Sequence, residues 1–66
     1  MTRKEFKTRV QRAFPDRKIE YAMNEAELLA SVIEDQGNSV LTCQSSPYRD
    51  EISLFFHGQS AGLLQG

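Results

Sequence analysis

Apolar residues recur near the start of the chain at helical spacing. Phe6, Val10, Ala13 and Phe14 stand at i, i+4, i+7 and i+8, one stripe of a helix over roughly residues 3–14. Thr2 is a good N-cap, and Glu5 three residues later completes the capping-box pattern. Pro15 ends the helix, because the residue before a proline is pushed out of the helical region. Asp16 and Arg17 read as a turn. Residues 18–23 then alternate, with Ile19, Tyr21 and Met23 on one face and Lys18, Glu20 and Ala22 on the other, as in a half-buried strand.

Asn24 is a second N-cap candidate with Glu27 three residues on. Ala26, Leu28, Leu29, Ala30, Val32 and Ile33 follow in a wide apolar arc, which predicts a helix lying on a sheet and ended by Gly37. Residues 39–44, with Val40, Leu41 and Cys43, suit a strand. Residues 45–50 carry turn chemistry, and Glu51 to His57 alternate again, so a hairpin is expected. From Gly58 the composition reads as a frayed tail in which Leu63 and Leu64 are the apolar pair.

The predicted fold is thus α+β, a small two-layer domain of order α-β-α-β-β. Two helices lie on one face of a three-stranded sheet. The compact domain covers residues 1–57 and a flexible C-terminal tail residues 58–66. Such a sheet keeps one face clear of helices, and Phe55, His57 and Val40 are the residues placed there as a partner or dimer surface.

The 66 residues bound this picture: there is no room for a second globular domain. Hydrophobic residues are 39% and charged residues 26%, ordinary globular usage rather than the signature of disorder. No apolar run is long enough to span a membrane, and no apolar stretch follows the basic N-terminal residues as in a secretory signal. The single cysteine, Cys43, excludes an internal disulfide and fits a reducing, cytoplasmic setting.

Charge changes the picture more. Residues 1–18 hold Arg3, Lys4, Lys7, Arg9, Arg12, Arg17 and Lys18 against Glu5 and Asp16, a local net of +5. The remainder holds Arg49 against seven carboxylates, a local net of −6, and the total is −1. The seven cations form a candidate site for nucleic acid or another anionic partner, with Gln11 able to touch a base edge. They equally suit pairing with the acidic second helix through Glu27 and Glu34, within a chain or across a dimer. A near-zero total charge and the lack of helix-turn-helix spacing speak against a dedicated nucleic-acid binder.

Catalytic chemistry is sparse. Cys43 and His57 are the single thiol and imidazole, and no glycine-rich oxyanion loop follows the cysteine. Structural zinc wants four Cys or His ligands. No calcium loop, phosphate-binding loop or dinucleotide fingerprint is present. No enzyme activity, metal, cofactor or small-molecule substrate is expected. The sequence points instead to a small regulatory or accessory protein that binds a protein partner or itself. Nucleic-acid binding through the basic helix is the alternative.

Overall fold

Thr2 caps the first helix as its pattern requires, its Oγ1 accepting from the Glu5 amide at 3.0 Å. The computed structural model of the chain describes residues 1–33 and 39–64, and the side chains of Ser39 and Val40 fall outside that description. Helix α1 runs Arg3–Ala13 and buries Phe6 and Val10. Phe14 closes it, donating its amide to Val10 O, and Arg17 N then donates to Phe14 O to form the turn.

Everything after that turn is strand. β1 (Lys18–Met23), β2 (Leu28–Ile33), β3 (Ser39–Ser45), β4 (Ser53–Phe56) and β5 (Gln59–Leu63) form one five-stranded sheet. Each strand is antiparallel to the next, in chain order. The expected α-β-α-β-β order, with two helices on a three-stranded sheet, is therefore overturned: there is one helix, and five strands.

The second helix fails at Asn24. Its Oδ1 accepts from the Ala26 and Glu27 amides at 2.7 and 2.8 Å, as an N-cap would. Its own amide, however, donates to Glu27 O at 2.9 Å, and the chain doubles back. The same side-chain chemistry serves a helix start and a tight turn. What decides is the run that follows. Leu28, Ala30 and Val32 are buried on one face while Leu29, Ser31 and Ile33 are half-buried on the other, a period of two. A short apolar run does not distinguish a strand from a buried helix by spacing alone, and the β-branched Val32–Ile33 end favours the strand. The remaining features read as helical, Glu34 and the Gly37 stop, lie outside the described residues. Asn24→Ala should lower stability by about 1 kcal/mol through loss of both side-chain acceptor bonds. Asn24→Asp should retain them. Urea melts of the two variants check this.

The tail is also corrected. Residues 59–63 pair with β4 as β5, through a two-residue turn closed by the Phe56–Gln59 pair. His57 and Gly58 both have positive φ, 52° and 80°, as a type I′ hairpin turn demands. β5 ends past a register shift at Gly62, and Leu64 turns inward, its amide bonding Ile52 O at 2.9 Å.

The core lies between α1 and one sheet face. Met1, Phe6 and Val10 meet Leu28, Ala30, Val32, Cys43 and Ile52, with Ile19, Tyr21, Met23, Leu41 and Leu54 packed around them. The chain start is pinned to the β3–β4 loop. The Met1 ammonium donates to Ser46 O, Pro47 O and Arg49 O. Ser45, also buried, donates its hydroxyl to Glu51 O at 2.7 Å and closes that loop.

Candidate functional site

An 11-residue helix is about 16 Å long and 10 Å across, while five strands at about 4.8 Å spacing span roughly 20 Å. One such helix cannot cover even one sheet face. Phe56, on the α1 side, stays 48% exposed, and all of β5 is exposed. The opposite face carries no helix among the described residues.

Cross-strand register gives the make-up of that face. One row runs Ala22, Leu29, Gln44, Ser53, Leu63, and the next runs Glu20, Ser31, Thr42, Phe55, Ser60. Lys18 and Ile33 pair beyond them. Apolar anchors thus stand at both sides, Leu29 and Ile33 on β2 and Phe55 and Leu63 on β4 and β5. A strip of Ser31, Thr42, Gln44 and Ser53 separates them. Leu63 is 42% exposed at the β5 end of this face.

Of the three residues assigned to this surface, Phe55 lies on it, half-buried and opposite Thr42. His57 does not. It sits in the β4–β5 turn with its ring edge-on to Phe56 at 4.4 Å. The Val40 side chain lies outside the described residues. Leu29 and Ile33 were missed because they were read as part of a helix.

The basic residues divide into several groups. Arg3, Lys4, Lys7 and Arg12 are exposed on α1. Lys4, Arg9 and Arg12 line a shallow depression of about 540 Å³ with Thr2, Glu5 and Thr8. Arg9 is half-buried and already committed, its Nη1 donating to Asp50 O at 2.8 Å. Lys7 Nζ lies 5.2 Å from the Tyr21 ring centre, a cation–π distance. Lys18 belongs to the opposite sheet face, so the seven cations are not one field. Glu27 sits in the β1–β2 turn rather than on a helix, which removes the acidic helix supposed to answer α1, and Glu34 lies outside the described residues.

A second concavity, about 360 Å³, lies between the end of α1 and β1 and is lined by Gln11, Phe14, Pro15, Arg17, Ile19 and Tyr21. The Tyr21 hydroxyl oxygen is buried and has no hydrogen-bond partner among the described residues. Burial holds its pKa above the ordinary phenol value, against an opposing pull from Gln11 that stops short of a well-formed hydrogen bond.

Cys43 and His57 do not form a reactive pair. Cys43 points into the α1-side core opposite Leu54, and burial pushes its thiol up to about 11. His57 is at the exposed hairpin tip, three residues beyond Leu54 and so about 10 Å farther along the strand direction. Among the described residues no three His, Cys, Asp or Glu side chains gather as a metal site. No described helix is long and apolar enough to cross a membrane. The chain matches no protein-family model, no curated protein and no solved structure.

Proposed function

We propose that this chain is a small binding module that acts by contact with a partner protein through the sheet face opposite α1. The observation that carries the reading is the composition of that face. Leu29, Ile33, Phe55 and Leu63 offer apolar anchors around a strip of hydroxyls and one amide that can satisfy a partner's polar groups. Protein interfaces combine these elements, with apolar anchors providing most of the energy and polar groups fixing register. Burying such area is worth about 25 cal/mol per Å², which a partner gains only if the strip's polar atoms are matched.

A second reading has its own support. Arg3, Lys4, Lys7 and Arg12 remain exposed on α1, as required for contact with a nucleic-acid backbone. One experiment separates the two. Phe55→Asp and the double variant Lys4→Glu with Arg12→Glu are compared with the parent chain for partner retention and for mobility shift with DNA and RNA. The sheet-face reading expects Phe55→Asp to abolish protein retention while the helix variant keeps it, both variants retaining the parent circular dichroism spectrum. Retention unchanged by Phe55→Asp, with a low-salt mobility shift abolished by the helix variant, would put α1 in its place.

A further inference from the structure

We infer that the free edge of β1 is a docking strand for an extended, acidic segment of a partner protein, added to the sheet beside Lys18–Met23. This rests on the reading of the chain as a protein-binding module and names the segment it takes. Among the described residues β1 pairs only with β2, through six uninterrupted register pairs, which leaves its outer row of backbone N–H and C=O groups unpaired there. An edge of this kind is a template for another strand. The other edge, β5, is blunted by a register shift and by Gly62 at φ 95°.

The surroundings of β1 specify the guest. Ile19 and Tyr21 point to the α1 side, into the concavity they share with Gln11, Phe14, Pro15 and Arg17. An added strand alternates in the same way, so every second guest side chain enters that concavity. Directly opposed side chains on paired strands approach to about 5 Å, which brings a guest carboxylate within reach of this lining. The polar groups lining it are donors, the Arg17 guanidinium and the Gln11 amide, and Lys7 stands nearby over the Tyr21 ring. Against these cations the same turn holds one carboxylate, Asp16. Charge-assisted hydrogen bonds from such donors favour glutamate or aspartate. On the other face of β1, Lys18 and Glu20 balance each other and discourage purely apolar strands.

The test uses the isotopically labelled chain and a blocked peptide of alternating threonine and glutamate, long enough to lie along all of β1. Saturable amide shifts are expected at Lys18–Met23 and around Gln11 and Arg17, with Gln59–Leu63 silent. Arg17→Glu, at an exposed turn position, should weaken binding about tenfold. N-methylation of alternate peptide amides should abolish the shifts. Absence of saturable shifts, shifts centred on β5, or equal affinity for a threonine–lysine peptide would overturn the assignment. If these fail while partner retention still depends on Phe55, the edge is wrong and the sheet face stands. If the peptide binds but Phe55→Asp changes nothing, the edge stands without the face.

Discussion

Phe6→Ala is expected to leave much of the chain unfolded in the absence of denaturant. Phe6 is fully buried at the centre of the α1–sheet contact, with its ring edge-on to Tyr21 at a 6.4 Å centroid distance. Truncating a buried phenylalanine costs about 3–5 kcal/mol, through lost transfer energy and the cavity left behind. A chain of this length has a total stability of only about 3–10 kcal/mol. With one helix covering the core, no second layer can close over the void. Phe56→Ala is the matched control, since Phe56 is 48% exposed and should cost far less. Thermal melts followed by far-ultraviolet circular dichroism check the pair. A Phe6→Ala midpoint within about 5 °C of the parent would refute this account of the core.

The second large effect is alkaline destabilisation through Cys43. The thiol has an ordinary value of 9.0 and is pushed up to about 11 by burial in the fold. Below about pH 9 both folded and unfolded chains hold the proton, and the contribution is intact. Between about pH 9 and 11 the unfolded chain ionises while the folded chain does not. The unfolded state then binds fewer protons, and stability falls as pH rises. The loss is on the order of 2 kcal/mol, somewhat below the full linkage value for the shift. Tyr21, raised by its own burial, acts in the same direction at higher pH. Cys43→Ala should remove most of the slope between about pH 9 and 11, at the cost of a small packing loss at neutral pH. Urea midpoints of the two chains across that range make the comparison, and parallel curves would show that Cys43 is not the source.

The first 23 residues were legible because each signal had one meaning. Thr2 with Glu5, the Phe6–Val10–Phe14 stripe, Pro15 and the alternation of Ile19, Tyr21 and Met23 all lead to the elements observed. Asn24 had two meanings, and the apolar run after it had no period of its own, so β2 was read as a helix. β5 was missed for a different reason. Residues 59–63 are small and polar, lacking the β-branched residues that mark a strand. The signal that was present is the His57–Gly58 pair, a positive-φ turn directly after an alternating run. The helix-free face survived the change of architecture, because Phe55 and Ser53 alternate outward whatever the strand count. Its partners on β2 could not be named without the register. The basic segment was legible as charge but not as geometry. Nothing in the order of residues 1–18 says that Arg9 reaches a loop carbonyl, whereas the alternation of residues 18–23 already puts Lys18 on the face away from Ile19, Tyr21 and Met23.

A sheet whose strands pair only with their chain neighbours also has a kinetic consequence. The β1–β2 and β4–β5 pairings require only short loops to close, and short closures carry little entropic penalty. Hairpins of this kind form within microseconds. The distant encounter is the clasp of Met1 onto the carbonyls of Ser46, Pro47 and Arg49, across 45 to 48 residues. Of these closures, bringing the amino end to the β3–β4 loop carries the largest entropic cost. Substitutions in that loop should accelerate unfolding while leaving the rate of hairpin formation unchanged.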